Sequence, residues 1–200
     1  MPFTKETIVL ATNNLGKLLE IESLLAGTDI EIESQQKYNV PPALETGLTF
    51  VENALIKARN ACKHSGQSSI ADDSGLEVDF LNGAPGLRSA RFAGENATDQ
   101  DNREKLLGVL KNLPPKKRMA RFQCAMVYLR SPSDPSPLIS LGTWEGSISS
   151  SEHGQNGFGY DPIFLIDNLN RTAAELTEAE KNQISHRGQA LRGLLERLHL

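Results

Sequence analysis

Short apolar runs alternate with segments of helical periodicity along this chain, and this alternation restricts its fold more than any other feature. Residues 8–11 read as a strand, and Leu18, Ile21 and Leu25 then recur at helical spacing. Residues 49–64 repeat the helical pattern. Because strands and helices are mixed along the chain rather than segregated, we predict an α/β fold with a mixed sheet flanked by helices.

The remainder of the chain extends the pattern. A capping-box pair, Thr177 with Glu180, predicts a helix start. Asp72 and Asp73 are predicted to lie in a turn between two strands. The further strands are predicted at 69–71, 76–81, 120–129, 138–149 and 163–166, and the further helices at 101–110 and from Ser185 onward.

A length of 200 residues with 38% apolar content allows a substantial core, and we expect one domain, residues 1–200. No stretch approaches about eighteen uncharged apolar residues, so no membrane partner is expected. Residues 1–6 lack the pattern of a secretory signal, which predicts a cytoplasmic location. Cys62 and Cys124 fall inside apolar periodic segments and are expected to be buried, reduced thiols.

The charge of the chain argues against nucleic acid as a partner. A net charge of −4 and a pI of 5.6 provide no overall positive field toward a phosphate backbone. The dense basic run at 116–118 follows two prolines and is interpreted as a solvated loop. An acidic chain can still bind an anionic substrate where a few cations converge, so candidate sites have to be sought locally.

The first candidate is a phosphate site where the first strand turns into a helix. Thr12, Asn14 and Lys17 stand at this turn, where backbone N–H groups attract anions and a lysine one turn in adds positive charge. Thr and Asn are also ordinary helix caps, and Lys is an ordinary surface residue. This pattern alone therefore leaves both interpretations open.

The second candidate is a cation site. Asp72 and Asp73 offer the hard oxygen ligands that magnesium prefers, and Glu45 in a polar loop could supply another. Aspartate, serine and glycine are also common turn residues. Which of the two aspartates would act as a base is open at this point.

The helix predicted at 49–64 carries a polar stripe. At 100° per residue, Asn53, Lys57, Asn60 and His64 project to one side of it. Such a stripe lines a cleft in some proteins and faces solvent in others. The pattern by itself favours neither.

A third candidate lies toward the C-terminus. Residues 157–162 combine the backbone freedom of glycine with two aromatic rings, which suits a loop that stacks on a nucleobase. The alternative is a tight strand entrance with core aromatics. Ser185, His186 and Arg187 stand at a predicted helix start, where an anion could offset their donors, although a capped helix with a surface arginine is the commoner explanation.

These motifs occur in the order found in one known family along nearly the whole chain. The matching segments are 11–17, 45–50, 52–54 with 57–58, 71–76, 83–86, 89–92, 157–162 and 185–188. On these residues the chain resembles the inosine triphosphate pyrophosphatases, enzymes that remove deaminated purine nucleotides. The resemblance implies magnesium-dependent hydrolysis of ITP, dITP and XTP to the monophosphate and pyrophosphate, which keeps these nucleotides out of DNA and RNA.

The resemblance also implies roles for individual residues. Glu45 and Asp73 would bind Mg²⁺, and Asp73 would act as the base toward the attacking water. The residues of the first turn, with Lys57, would hold the triphosphate, and Phe158 would stack on the purine. The implied substrate-binding set is Thr12, Asn13, Asn14, Leu15, Gly16, Lys17, Lys57, Ser74, Phe158, Gly159, Tyr160, Asp161, Lys181, His186 and Arg187.

The family fold implied by the resemblance is an elongated mixed sheet flanked by helices, with two lobes around a central substrate cleft, usually in a homodimer. One departure is Asn13, where relatives often have glycine. A related pyrophosphatase of modified pyrimidine triphosphates would share the first turn but not the loop at 158–161. A non-catalytic nucleotide sensor is disfavoured because Lys17, Glu45 and Asp73 are all present.

Overall fold

The computed structural model describes residues 7–28 and 30–198, and the expectation made for residues 1–6 lies outside this part of the chain. The helices and strands occur in mixed order. The strands are β1 (Thr7–Leu10), β2 (Glu31–Ser34), β3 (Ser68–Val78), β4 (Met119–Leu129), β5 (Leu138–Ile148), β6 (Phe164–Ile166) and β7 (Arg171–Thr172). The helices are α1 (Leu15–Leu25), α2 (Phe50–Ser65), α3 (Asp99–Leu110), α4 (Glu178–Ile184) and α5 (His186–Leu198).

The described strands form one sheet in the order β2-β1-β3-β4-β5-β6-β7. β1 pairs in parallel with β2 and β3, whereas β6 pairs antiparallel with β5 and β7. This confirms the predicted α/β fold with a mixed sheet. In the register of β1 and β3, Leu10 lies opposite Ile70, so the turn that follows β1 begins beside the middle of β3.

The chain divides into two compact units, and the long strands β3, β4 and β5 each contribute residues to both. The first unit contains the described residues up to Asp73 together with 124–142 and 187–198. The second unit contains 74–123 and 143–186.

The core of the first unit consists of two clusters on opposite faces of its strands. Ile70 and Met126 pack with α1 and α5 on one face. Ala71 and Val127, each one position further along, pack with α2 on the other. Successive strand residues point to opposite faces, so this division follows from the pleat. Because helices cover both faces here, residues 124–129 of β4 are all buried and show no alternation with solvent.

The core of the second unit is a single cluster rich in aromatic residues. Phe122 of β4 lies 4.5 Å from Phe164 of β6, measured between ring centroids, and 6.3 Å from Trp144 of β5. Leu106 and Leu110 of α3 complete this cluster from the helix side. The apolar side of α3 is thereby buried, as its helical spacing predicts.

The prediction that Asp72 and Asp73 lie in a turn was wrong. β3 runs without interruption from Ser68 to Val78 and carries both residues in its middle. Aspartate is a poor strand former, but buried ion pairs with neighbouring helices outweigh that preference here. The strand also ends earlier than predicted, because Asp79–Leu81 forms a 3₁₀ turn.

The basic run was interpreted correctly only in part. Lys116 and Lys117 are exposed, but Arg118 is buried. Its guanidinium donates to the carbonyl oxygens of Leu110 and Ser149 at 2.8 and 2.9 Å, and its Nε donates to that of Leu113 at 3.1 Å. The bond to Leu110 gives a second partner to a carbonyl group in the last turn of α3, and the other two bonds tie Arg118 to the segments that follow α3 and β5.

The expectations for the cysteines are confirmed. Cys62 and Cys124 are free and buried, and burial raises the pKa of the Cys124 thiol to about 12, so it stays protonated. Within residues 7–28 and 30–198, no helix combines the length and apolar character needed to cross a membrane. The short strands β2 and β7 were not predicted, because neither carries an apolar run.

Candidate active site

The turn between β1 and α1 has the structure of a helix N-cap. The Asn14 side chain accepts a hydrogen bond from the Lys17 backbone N–H at 3.0 Å, and Thr12 Oγ1 accepts one from Asn14 N–H at 3.1 Å. These bonds fix the turn, while the first N–H groups of the helix, which include Leu15 and Gly16, have no partner within the helix ladder. Such a helix start attracts an anion.

The backbone and side-chain contacts of Asn13 show why this turn does not need the glycine that relatives often have here. Its backbone is not in the left-handed region that would require glycine, and its side-chain oxygen accepts a hydrogen bond from Gln35 Nε2 at 2.7 Å. Gln35 follows β2 and is buried. The asparagine therefore ties the turn to the neighbouring edge of the sheet.

The paired aspartates of β3 point to opposite faces of the sheet, because they are successive strand residues. Asp72 follows Ile70 on the face covered by α1 and α5, and Asp73 follows Ala71 on the face covered by α2. Each carboxylate therefore has its own set of partners. Their difference bears directly on which of them can take part in chemistry.

Asp72 is the centre of a buried ion network. Its Oδ2 lies 3.0 Å from Lys17 Nζ of α1 and 3.3 Å from two guanidinium nitrogens of Arg187 in α5. Arg187 in turn binds Glu20. Burial by itself raises the pKa of Asp72, but Lys17 and Arg187 lower it more and hold it well below the ordinary range. Asp72 is therefore ionised and inaccessible: its Oδ2 takes all of these contacts, and its Oδ1 is buried without a hydrogen-bond partner among the described residues.

Asp73 lies in a different environment. Its Oδ1 is 2.8 Å from Lys57 Nζ of α2, and the same Nζ is 3.8 Å from Glu45 Oε1. Burial lowers the pKa of Lys57, but the carboxylates of Asp73, Asp72 and Glu45 together raise it above its usual value. Glu45 and Asp73 thus converge on one positive charge, and the Glu45 side chain is 36% exposed.

Asn53 is a residue of this site that the assignment of roles did not include, although it belongs to the predicted polar stripe. Its Nδ2 donates to Asp73 Oδ2 at 3.4 Å, and its Oδ1 accepts from Gly47 N–H at 2.8 Å. A Cβ at Gly47 would lie 2.5 Å from the Glu52 Cβ, so only glycine fits this approach. Asn53 therefore holds the loop of Glu45 close to Asp73.

The rest of the polar stripe separates in the structure. Lys57 is largely buried, whereas His64 is exposed. Asn60 donates to the carbonyl oxygen of Pro41 at 2.7 Å, in the loop before α2. The N-terminal half of the stripe thus belongs to the site, and the C-terminal half supports the loop or faces solvent.

The donor set of the first unit fits a magnesium ion. Among the described residues there is no cage of three or more His, Cys, Asp or Glu side chains, but magnesium is usually held by one or two carboxylates with waters and substrate phosphates. Glu45 and Asp73 already share a cation. The four carboxylates of the site face three cations, which leaves one net negative charge and favours an added cation before a triphosphate binds. These side chains are Glu20, Glu45, Asp72 and Asp73 against Lys17, Lys57 and Arg187.

The second unit contains the loop with glycine and aromatic residues. Asp161 Oδ2 accepts from Phe158 N–H at 2.9 Å and lies 2.5 Å from Lys181 Nζ of α4. The same Nζ is 5.1 Å from the centre of the Phe158 ring. Gly157 has a φ of +74°, and a Cβ there would lie 2.0 Å from Asp161 Oδ2. The predicted residues of this loop are thus in mutual contact.

Tyr160 anchors the loop in the core. Its hydroxyl donates to the backbone oxygen of Ser89 at 2.9 Å, and burial raises its pKa. Both Tyr160 and Asp161 are buried. The alternative that the loop contributes aromatic residues to the core is therefore correct for Tyr160, while Phe158 is partly exposed.

His186 begins α5 and is buried against aromatic rings. Its imidazole stacks on Phe122, with ring centres 4.7 Å apart and planes 12° apart, and Trp144 lies 6.4 Å away. These contacts fix the plane of the imidazole.

Ser74 directly follows Asp73 in β3 and is partly buried. Each unit thus brings its own share of the predicted residues together.

Carboxylates that can hold a metal ion, together with lysines and a helix start that can hold phosphate, suit the hydrolysis of a phosphoanhydride. The fold and this arrangement therefore favour an α/β enzyme that acts on phosphoanhydrides. Residues 8–197 match the model of the Ham1 family. The chain belongs to the Ham1 family.

Relatives match over almost the whole chain. A dITP/XTP pyrophosphatase of Thioalkalivibrio sulfidiphilus is 58% identical over 191 residues, which cover 96% of this chain and 97% of the relative. A dITP/XTP pyrophosphatase of Salmonella typhi is 55% identical over 193 residues, covering 96% and 98%. The structure of a HAM1 protein from Coxiella burnetii is similar with a TM-score of 0.89 and 49% identity, covering 97% of this chain and 98% of that one.

Proposed function

We propose that this chain hydrolyses deaminated purine nucleoside triphosphates, dITP, ITP and XTP, to the monophosphate and pyrophosphate in a magnesium-dependent reaction. It is a nucleoside triphosphate pyrophosphatase, and so a hydrolase. One observation carries the proposal: Glu45 and Asp73 converge on Lys57 in a chain that is 58% identical to a dITP/XTP pyrophosphatase. Removal of such nucleotides keeps them out of DNA and RNA.

The triphosphate is proposed to bind in the first unit. The start of α1 supplies N–H groups, and Lys17 and Lys57 supply positive charge. Asp72, which is itself held by Arg187, keeps Lys17 in place from the other side. Because these groups are fixed before the substrate arrives, they need little reorganisation as charge develops on the leaving pyrophosphate.

Asp73 is the proposed base. It accepts a proton from the water that attacks the α-phosphorus, and the bond from that phosphorus to the bridging oxygen breaks as pyrophosphate leaves. Asp72 is unsuited to this role because it is fully buried and its pKa is held well below the ordinary range. The Asp73 side chain is 11% exposed against 0% for Asp72, and Asp73, next to Asn53 and Lys57, is the better candidate.

Glu45 and Asp73 are the proposed magnesium ligands. When bound, the ion supplies positive charge toward the phosphate oxygens and lowers the pKa of water in its coordination shell. Asn53 positions both carboxylates through Gly47 and Asp73. Lys57 keeps the two carboxylates close together, so that little repulsion between them has to be overcome.

The base is proposed to be recognised by residues of the second unit. Phe158 stacks on the purine, and Lys181 and Asp161 fix the direction of its ring. Hypoxanthine and xanthine carry an acceptor oxygen at position 6, where adenine carries a donor amino group. Donors such as those of His186 and Arg187 therefore favour the deaminated bases.

Product analysis over a panel of nucleoside triphosphates, with and without magnesium, tests the proposal. Two donor-to-donor mismatches with adenine, at about 1 to 3 kcal/mol each, predict that kcat/KM for ITP and XTP exceeds that for ATP by roughly 100-fold or more. Release of orthophosphate and a diphosphate would refute the proposed cleavage site. Full activity with a chelator would refute the metal role, and preference for a modified pyrimidine would favour the alternative substrate class.

Arg187→Ala separates base recognition from the charge network. If the guanidinium faces the base during catalysis, activity on ITP falls more than activity on ATP. Its contacts with Glu20 and Asp72 also predict a loss common to both substrates. Equal losses would assign Arg187 to the network alone.

The homodimer, the cytoplasmic location and the absence of a nucleic-acid partner stay predictions.

A further inference from the structure

The N-terminal turn of α3 contacts the nucleobase loop, although none of the motifs that identified the site includes α3. Gly159 N–H donates to Asp99 Oδ2 at 2.8 Å, and Arg103 Nη1 donates to Gly159 O at 2.9 Å. One glycine is therefore held at both its N–H and its carbonyl group by two side chains one helical turn apart. Both contacts lie within the second unit.

These contacts complete the restraint of the loop. Asp161 holds Phe158 through its backbone N–H, and the residue after Phe158 is held by α3. Gly159 has a φ of +60°, a conformation that glycine adopts without steric cost. With the backbone fixed on both sides, the Cα–Cβ direction of Phe158 is fixed as well.

Arg103 is itself supported by neighbouring side chains. Arg103 Nε forms an ion pair with Glu152 at 3.0 Å, and its Nη2 donates to Gln100 at 2.5 Å. Asp99 stands directly after the helix cap Thr98. The charge of Asp99 adds to the effect of burial in raising the pKa of Tyr160, which places it electrostatically close to the loop.

We propose that Asp99 and Arg103 are positioning residues for purine recognition: they hold the Gly159 peptide groups and thereby set the orientation of Phe158. The inference rests on the proposed function, because it takes the loop to bind the base. It identifies α3, a helix outside the phosphate site, as a determinant of substrate affinity and selectivity. Neither residue contacts the reacting atoms in this assignment.

The test compares Asp99→Ala, Asp99→Asn and Arg103→Leu with the control Glu104→Gln. Asn keeps an oxygen that can accept from Gly159 N–H, whereas Ala removes the acceptor. Glu104 is an exposed carboxylate of the same helix that accepts a hydrogen bond from Gln100 Nε2 at 2.8 Å. Kinetic constants for ITP and ATP and the Kd of the product IMP by calorimetry are measured for each variant.

We expect Asp99→Ala to raise KM for ITP and Kd for IMP about tenfold, with kcat within about twofold of the wild type. Its preference for ITP over ATP falls severalfold. Asp99→Asn stays within about threefold, and Arg103→Leu raises KM about fivefold. Glu104→Gln leaves all of these values unchanged.

Three results would overturn the inference. One is an unchanged KM and Kd in Asp99→Ala; another is an equal loss in Asp99→Ala and Asp99→Asn, which would assign the effect to charge at the helix start. The third is a loss of kcat alone, as expected from fewer folded molecules. Wild-type protein that neither hydrolyses ITP nor binds IMP would refute the proposed function and this inference with it, so the two failures are distinguishable.

Discussion

The two units carry their candidate residues in different ways. In the first, the site is a network of charges drawn from distant parts of the chain: Arg187 and Asp72 are 115 positions apart. In the second, the loop from Gly157 to Asp161 combines local contacts with distant ones: Asp161 accepts from Phe158 N–H, three positions away, and Asp99 accepts from Gly159 N–H across 60 positions. The first unit thus holds its candidate residues by charge, whereas the second holds its loop largely through hydrogen bonds to the peptide groups of the loop.

This difference predicts different responses to substitution. Removal of a charge from the first unit leaves its partner uncompensated, which affects turnover or folding strongly. A change in the loop alters the position of a stacking ring, which affects substrate affinity more than the chemical step. Four predictions, ordered by expected size, test this contrast.

The largest effect is expected for Asp73→Asn. Loss of the proposed base and of one magnesium ligand should lower kcat about 100-fold or more. Folding is retained, because asparagine keeps the size of the side chain and Lys57 keeps Glu45 as a partner. Turnover of ITP measures the loss of kcat, and circular dichroism checks that the variant is folded. Near wild-type turnover in Asp73→Asn, together with a folded but inactive Asp72→Asn, would exchange the roles of the two residues.

Asp72→Asn should act on stability. Lys17 and Arg187 lose the carboxylate they share, and breaking a buried ion pair from one side costs about 3 kcal/mol or more. Urea denaturation measures the change in the free energy of unfolding. The matched control is Glu95→Gln, because Glu95 is 74% exposed and its pair with Arg88 should be worth less than about 1 kcal/mol. Equal losses in both variants would contradict the special role of Asp72.

The contrast between the units also explains what the sequence could predict. The helices and the strands β1, β4, β5 and β6 follow from local periodicity and capping chemistry, and the structure has them close to the predicted bounds, whereas β2 and β7 carry no such pattern and were missed. The cap at Asn14, one of the two interpretations of the first turn, is present. The turn predicted at Asp72 and Asp73 was wrong because local preference was all that could be read there. Their partners on α1, α2 and α5 decide that segment, and no local pattern announces those contacts.

The site residues that the sequence did not reveal, Asn53 and Asp99, were missed for the same reason. Asn53 stood on a polar stripe whose two interpretations had equal weight, and only the approach of Gly47 and Asp73 decides between them. Asp99 lies in an ordinary helix start, where an acidic residue needs no functional explanation. A polar residue acquires its role from what the fold places opposite it, and that information is absent from a single sequence.

Gly157→Ala tests the second unit. The new Cβ would lie 2.0 Å from Asp161 Oδ2, so Asp161 has to move and release Phe158 N–H. We expect KM for ITP to rise about tenfold with kcat within threefold, since the charges of the first unit are untouched. Gly83→Ala is the control: it has a φ of +88° with nothing within 4 Å of its Cβ, so it shares only the backbone strain of roughly 1 to 2 kcal/mol. A larger effect on kcat than on KM would break the contrast between the units.

The smallest expected effect concerns Glu180, an exposed carboxylate at the start of α4, the helix that carries Lys181. Its hydrogen bonds with Arg171 and the Thr177 backbone lower its pKa from 4.5 to about 2. Because the pKa of Glu180 is lower in the folded chain than in the unfolded chain, its ionised carboxylate stabilises the fold. This stabilisation is complete above the unfolded pKa of 4.5 and is lost as the pH falls through the folded pKa of about 2. Glu180→Gln should therefore lower Tm at pH 7 by on the order of one degree, the scale of an exposed ion pair.

The difference in Tm between wild type and Glu180→Gln should stay constant from pH 7 to about 5, because the carboxylate is ionised in both folded and unfolded chains over that range. It should narrow only below pH 4.5, and an NMR titration of the Glu180 carboxyl should give a midpoint near 2. Glu178→Gln removes the same charge from the same helical turn without the capping contacts, so it isolates the effect of charge alone. A midpoint near 4.5 would mean that Arg171 does not hold Glu180 in solution, and the helix of Lys181 would then depend on its packing rather than on this cap.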